Sequence, residues 1–281
     1  MTDQRTTQTS ATDERYTGNP AEIYERHFVP AIGLPFARPL LATAGLGEGE
    51  RVLDVACGTG VVARLAAEAV GPTGSVTGVD VNPGMLATAR AATPAGATVA
   101  WHEAPAEHLP LPDASVDAVL CSLGFQFFTD KVGALREMRR VLAPGGRVVL
   151  GTPGPTPPLF QVLDTVLSDR LGPGASVFVT AVFSVHDPAE VRDLLRTAGF
   201  GAVDVESTTL HLRLPPPADF LWQYVLGTPL SAMAAHLDGD ARAALEREVV
   251  ARWRPFTDAG SLGLDVGSLV ATARPDHRPG R

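Results

Sequence analysis

Lysine is almost missing from this chain: Lys131 is the only one among 281 residues. Basic side chains total 23 against 31 acidic ones, a formal charge of −8. No Lys/Arg-rich stretch offers the electrostatic footprint that a phosphate backbone demands, so a nucleic-acid partner is not expected. Cysteine is nearly as scarce. Cys57 and Cys121 form neither a CxxC pair nor a Cys/His ligand spacing, which excludes a disulfide framework and a zinc cluster; no metal is expected. No apolar run approaches the roughly 18 residues of a membrane span, and the opening MTDQRTTQTSATDER has no apolar signal core. The expectation is a cytoplasmic protein made without a removable leader, away from membranes, working as a monomer or homodimer.

What is present points to a large buried core. With 45% hydrophobic and 19% charged residues, the chain reads as one large domain, or one domain with a substantial insertion. Residues 1–19 have almost nothing to bury and read as a disordered N-terminal tail. Ile23, Tyr24, His27 and Phe28 then recur at helical spacing after the Asn19-Pro20 start signal, predicting a short helix that ends near Pro30. A second helix is expected from about Pro35 to Ala44, stopped by Gly45.

From residue 51 the pattern alternates. RVLDVA (51–56) reads as a buried strand, followed by a glycine turn and an alanine-rich helix over 61–70. The same order continues through SVTGVD (75–80), a helix over 83–92, ATVAWH (97–102), VDAVLCS (116–122), a helix over about 130–142, and RVVLGT (147–152). Strands separated by helices imply a mainly parallel, doubly wound α/β sheet. Beyond it, 159–171 looks helical, 187–200 is a clear helix capped by Asp187 and closed by Gly199, and strands are expected over 201–208 and 267–275. The sixty-odd residues between those two strands exceed any hairpin loop and read as an inserted cap over about 209–266.

The segment VLDVACGTGVVA carries the most information. Gly58, Gly60 and Ala63 match the GxGxxG/A turn, and Asp80 follows Gly60 by twenty residues, where a ribose-binding carboxylate belongs. Taken alone, that pattern allows a nicotinamide dinucleotide or any other adenosine-bearing cofactor. Asp54, four residues before Gly58, is expected to face the ligand over the turn; it would repel a pyrophosphate and attract a ligand carrying an ammonium and a sulfonium. S-adenosylmethionine (SAM) is thereby favoured. A short-chain dehydrogenase would also need a Tyr-x-x-x-Lys pair, and the position four residues before the only lysine is Phe127.

Four stretches, VLDVACGTG (52–60), GVDVNPGML (78–86), AEHLPLPDASVDAVLC (106–121) and LREMRRVLAPGGRVVL (135–150), make the region from about Asn19 to Gly151 resemble the class I SAM-dependent methyltransferases. The likeness is to the small-molecule branch similar to ubiquinone and menaquinone biosynthesis methyltransferases. It implies a Rossmann-like sheet of seven strands, the last antiparallel, with N-terminal helices over 20–50 that cover the cofactor. It also implies that Asp54, Ala56, Gly58 and Gly60 line the methionine end of SAM, that Asp80 binds the ribose hydroxyls, and that Val81 and Met85 pack on adenine. Ala106 and Glu107 would border the adenine edge, although Pro105 stands where the family commonly has an acid. Tyr24 would belong to the covering helix. Cys57 and Cys121 read as small packing residues near strand ends, Cys121 also bordering the cofactor.

For the acceptor, the loop after the fourth strand (Leu123, Gly124, Phe125, Gln126, Phe127, Phe128) and the cap residues Phe220, Trp222 and Tyr224 are the expected walls, since ligands sit beyond the carboxyl ends of such strands. Aromatic walls suit a planar or greasy small molecule. His27, His186, His211 and His236 are the candidate bases, should the acceptor need to lose a proton. The abundance of Ala, Gly and Arg suits a GC-rich bacterial genome, and with it quinone-like or specialised metabolism. Two alternatives stay open: a SAM-binding protein of the same fold that catalyses a rearrangement or cyclisation, and, more distantly, an NAD(P) oxidoreductase.

Overall fold

Asn19 and Glu22 lock the start of the first helix. Asn19 Oδ1 accepts the Glu22 N–H at 3.1 Å and the Glu22 carboxylate accepts the Asn19 N–H at 3.3 Å, a reciprocal capping box. The computed structural model describes residues 18–276, so the tail expected over 1–19 lies outside the described residues up to 17, and Asn19 itself is part of a helix cap. Helix α1 (Pro20–Ile23) runs directly into a π-helix (Tyr24–Gly33) and then into α2 (Leu34–Ala44). The expected stop at Pro30 does not occur. That proline sits inside the wider π coil, whose closing bond spans five residues from Leu34 N–H to Val29 O, so the four-residue ladder that proline breaks is absent there. Gly45, left-handed at φ 53°, ends α2 as the sequence implies.

The alternating region folds as read. β1 (Arg51–Val55), α3 (Val61–Val70), β2 (Ser75–Asp80), α4 (Pro83–Ala92), β3 (Val99–Glu103), β4 (Val116–Ser122), α5 (Lys131–Val141) and β5 (Leu142–Pro153) follow in order. Helices α6 (Pro158–Leu171), α7 (Pro173–Val182) and α8 (Pro188–Thr197) lead to β6 (Phe200–Leu214). Helices α9 (Pro217–Gly227), α10 (Leu230–Ala234) and α11 (Gly239–Arg252) precede the short β7 (Thr257–Asp258) and β8 (Ser261–Pro275). The main path of the sheet is β3-β2-β1-β4-β5-β8-β6, with β7 paired to β8. β1 to β5 pair in parallel, and β8 runs antiparallel between β5 and β6. The order reverses between β1 and β4, which opens a crevice at their carboxyl ends.

Two differences from the sequence expectation concern the cap. β6 and β8 extend well past the predicted strands, pairing from Ala202↔Arg274 to Leu214↔Leu262, so the helices between them span 217–252 rather than the 209–266 expected. The outer half of β6 alternates exposed polar residues, His211 and Arg213, with the more buried Leu210, Leu212 and Leu214. The cap also draws on α6 and α7 from the β5–β6 connection. Leu159, Leu163 and Val179 share one buried cluster with Trp222, Trp253, Leu245 and Val266, while the two faces of the sheet carry separate clusters around Leu53 and Leu135 and around Val52 and Leu40. Trp253 Nε1 donates to Leu159 O at 2.9 Å, fastening α11 to α6. No helix among the described residues is long and apolar enough to cross a membrane.

Trp101, on β3, explains two glycines. A Cβ at Gly60 would lie 2.3 Å from the Trp101 ring and one at Gly78 would lie 2.4 Å from it. Gly60 also holds φ +85°, which L side chains rarely adopt. Gly60→Ala is therefore expected to cost about 2 to 4 kcal/mol, combining overpacking with left-handed strain. Denaturant unfolding checks this, and a Trp101→Ala background is expected to recover the steric part of the loss only.

Candidate functional site

The turn after β1 is held from outside its own strand. Asp80, at the end of β2, accepts the Gly58 N–H at 2.8 Å on Oδ2 and the Asn82 N–H at 2.8 Å on Oδ1. Asn82 in turn caps α4 by accepting from Gly84 and Met85. One carboxylate thus fixes the glycine turn and the start of the next helix together. Burial raises its pKa above the usual carboxylate range, while the three backbone N–H groups of Asn82, Gly58 and Val81 pull it back down.

Asp54 is placed differently from expectation. It is buried under the turn and does not border the cavity above it. Its carboxyl bonds the Ala63 backbone at the start of α3, and Oδ2 has no hydrogen-bond partner. Burial, with Asp80 adding repulsion, pushes its pKa up to about 8, against the opposing pull of Ala63 and Arg64.

A cavity of about 820 Å³ opens over the carboxyl ends of β1 and β4, within the size range of small-molecule sites. At one end are Ala56, Gly58, Asp80, Val81, Met85, Ala106 and Glu107, all of them candidates from the sequence. A Cβ at Gly58 would meet nothing within 4 Å, so this glycine leaves open space where Gly60 is filled by Trp101. Gly60 is accordingly a packing residue and does not line the cavity. Val81 is 67% exposed, an apolar side chain left bare at the cavity wall. The loop bearing Ala106 and Glu107 is tied down by Arg140, which donates to Leu109 O at 3.0 Å and Leu111 O at 2.8 Å, while Glu137 accepts the Leu109 N–H at 3.0 Å. These two residues of the LREMRRVLAPGG stretch give that motif a structural task which sequence reasoning missed.

The other end is aromatic. Tyr24, Phe28, Ile32 and Phe36, spaced by four along the π-helix and into α2, line it from one side. Tyr24 and Phe28 stack with centroids 4.4 Å apart. Tyr224, Phe160, Phe178 and Phe183 close the other side, with Phe160 and Tyr224 edge to face at 5.2 Å. Gln126, Phe127 and Phe128 line the cavity as expected. Phe125, Phe220, Trp222 and Cys121 do not: each is buried in a core cluster, and Trp222 Nε1 donates to Glu246 at 2.7 Å inside the cap. Helix α7, which contributes Val177 and Phe178, was not legible because its residues carry no helical stripe of polar against apolar side chains.

Two non-glycine residues at the cavity floor are left-handed, Ala56 at φ 55° and Leu123 at φ 55°. They follow β1 and β4 and face each other through Gly124, where a Cβ would lie 2.5 Å from that of Ala56. Strain of this kind gathers where a ligand site dictates the backbone.

None of the candidate histidines reaches the cavity. His186 Nδ1 lies 2.8 Å from Phe183 O, His211 Nδ1 lies 2.7 Å from Asp265 on the exposed outer part of the sheet, His236 is exposed in the cap, and His27 is half-buried on the π-helix without lining the cavity. Among the described residues, the cavity lining contains no histidine, lysine or arginine; its carboxylates are Asp80 and Glu107.

Residues 53–150 match the methyltransferase domain family, and residues 5–99 match the protein-L-isoaspartate(D-aspartate) O-methyltransferase family. Over 53–150, about a third of the chain, the protein is thus similar to methyltransferase domains, the class that its four sequence stretches resemble. Among individual proteins, the chain is 38% identical over 139 residues to demethylmenaquinone methyltransferase of Staphylococcus aureus, covering 49% of this chain and 55% of that one. The chain thus spans about half the length of the curated relatives it matches. Similar solved structures share the fold. A Haloferax volcanii methyltransferase in complex with the Trm112 activator superposes with TM-score 0.58 at 21% identity, covering 93% of this chain and 97% of that one. The YcgJ protein of Bacillus subtilis does so at 0.55 and 21%, covering 85% and 98%, and the [4+2]-cyclase SpnF at 0.53 and 24%, covering 85% and 80%.

The Asp80 end of the cavity fits SAM. An ionised carboxylate has about four acceptor sites, so Asp80 keeps capacity for a ribose hydroxyl beyond its bonds to backbone N–H groups. Gly58 leaves room beside it, and Val81 and Met85 offer apolar surface to a base. Asp80→Ala is expected to weaken binding of S-adenosylhomocysteine (SAH) at least ten-fold by calorimetry, and Asp54→Asn less, reversing the order that the sequence suggests. The raised Asp54 pKa has a second consequence. The folded state holds this proton from about pH 4 to about 8 while the unfolded chain does not, so its contribution to stability is full below pH 4 and is lost as pH rises to 8. Asp54→Asn is expected to flatten that decline in unfolding midpoints measured across the range.

Proposed function

We propose that this chain transfers a methyl group from SAM to a small, planar, largely apolar acceptor held at the aromatic end of the cavity. One observation carries the reading: the Asp80 end and the aromatic end belong to a single cavity, so donor and acceptor would lie side by side in one cleft. SAM supplies an activated methyl group; the residues of this chain supply alignment. Asp80 and the glycine turn hold the donor, while Phe28, Phe160 and Tyr224 orient a flat ring against it. The name of the Staphylococcus aureus relative makes a quinone-like ring the first acceptor to try, and specialised metabolism is the wider field.

With no imidazole in the lining, the proton of an acidic acceptor leaves before or after binding rather than to a fixed histidine. The two buried free thiols suit a reducing, cytoplasmic compartment. The composition fits a bacterial source.

A second reading, a SAM-bound protein that folds its substrate into a rearrangement or cyclisation, gains from the same absence of a base in the lining. The two separate on one experiment. Incubation with SAM labelled in its methyl group and a panel of hydroxylated arenes and quinols is expected to yield labelled arene with equimolar SAH; product formed without label transfer would replace the first reading by the second. His186→Gln, His211→Gln and His236→Gln are expected to leave kcat/KM within about two-fold of the parent, measured on the same acceptor.

A further inference from the structure

Two polar atoms on the wall of the aromatic end have nothing to bond. Tyr224 is 3% exposed and Gln126 is 4% exposed, and both line the cavity, yet the Tyr224 hydroxyl and Gln126 Oε1 have no hydrogen-bond partner among the described residues. Leaving such groups unmade in a buried place is costly, and a structural role would have paired them. For Gln126 the orientation is fixed by its other end. Nε2 donates to Leu123 O at 3.0 Å, and turning the amide round would set two oxygens against each other. Oε1 is therefore an open acceptor.

Tyr224 is the complementary case. Burial raises its pKa, with Tyr24 nearby adding to the shift, so at neutral pH the phenol keeps its proton and can only donate or accept weakly as a neutral hydroxyl. Its ring lies 5.2 Å from Phe160, 5.9 Å from Phe220, 6.4 Å from Phe28 and 6.4 Å from Phe178. A phenylalanine would pack among these rings as well as tyrosine does; only the hydroxyl is unexplained. The surroundings hold no cation to welcome an acid, and rings on several sides favour a flat partner.

We propose that Tyr224 and Gln126 bind the acceptor directly, the Tyr224 hydroxyl donating to and Gln126 Oε1 accepting from oxygen substituents of a neutral planar aromatic molecule. This rests on the reading that the aromatic end holds the acceptor. The pair would then decide specificity, because an unsubstituted ring of the same shape leaves both atoms unpaired.

The test compares a naphthol with naphthalene, titrated into the full chain with and without saturating SAH and followed by fluorescence or calorimetry. The parent protein is expected to prefer the naphthol by about ten-fold, the scale of one buried hydrogen bond. Tyr224→Phe is expected to remove most of that preference, leave SAH affinity unchanged, and raise the melting temperature by about 2 to 4 °C through loss of an unpaired buried hydroxyl. A structural tyrosine would move the other way. Gln126→Met, which keeps the approximate size and removes the open acceptor, is a second probe; it is expected to lower naphthol affinity while naphthalene affinity holds. No preference in the parent, or a Tyr224→Phe protein that melts lower and keeps the preference, would overturn the proposal. A naphthol preference in a protein that fails to bind SAH would leave this pair standing and remove the methyl-transfer reading instead.

Discussion

The Asp80 carboxylate is the fastening on which the site depends. It takes the Gly58 N–H from the turn after β1 and the Asn82 N–H from the start of α4, so two neighbouring βα connections hold one shape. Their geometry is otherwise unfavourable. Ala56 is left-handed without being glycine, and Asp54 is buried below with an unpaired oxygen. Trp101 fills the far side of the turn against Gly60 and Gly78, leaving only Gly58 facing open space. The cavity floor is thus a rigid frame with one permissive position, a suitable arrangement for a ligand whose polar groups must be placed accurately.

The cap completes what the sheet begins. Its own hydrophobic cluster, from α6, α7 and the helices between β6 and β8, also takes in Ile23, Ile32 and Phe36 of the N-terminal helical segment. The N-terminal segment is joined to the nucleotide end as well: Glu25 pairs with Arg64 on α3 at 2.6 Å, and Arg64 also donates to Thr59 O in the glycine turn. The same helical segment therefore touches both ends of the cavity. Tyr24 stands near Asp80, which contributes to its raised pKa after burial, and Phe28 reaches toward Tyr224.

Much of this was legible in the sequence because each βα unit announces itself locally. The glycine turn, the helices after it and the apolar strands between them coincide with elements placed from pattern alone, to within a few residues. Most residues lining the Asp80 end of the cavity lie in or beside the same turn, whereas Asp54, Gly60 and Cys121 do not line it. Asp54 and Cys121 lie in strands, whose residues alternate between facing the crevice and facing the core, and spacing does not say which; Gly60 lies in the turn, where Trp101 takes up the space beside it. The acceptor end was harder. Phe125, Phe220 and Trp222 look like Phe128 and Tyr224 in sequence, and only packing separates a core ring from a cavity wall. Pro30 misled for a different reason, since a π-helix changes the register that gives an internal proline its usual meaning.

Asp54 also changes the electrostatic argument. The sequence places its charge against the ligand; the structure buries it with a pKa of about 8, so near neutral pH the carboxylate facing the cavity at this end is chiefly Asp80, joined by Glu107 at the rim. Selection between a cationic sulfonium donor and a pyrophosphate then rests on the Asp80 carboxylate beside the open space at Gly58. Side-by-side calorimetric titration of the full chain with SAM, NAD and NADP tests this most directly. Binding of SAM with a dissociation constant at or below about 100 μM, with no heat from either dinucleotide up to millimolar concentration, is the expected result. Saturable binding of NAD or NADP with none of SAM would contradict it.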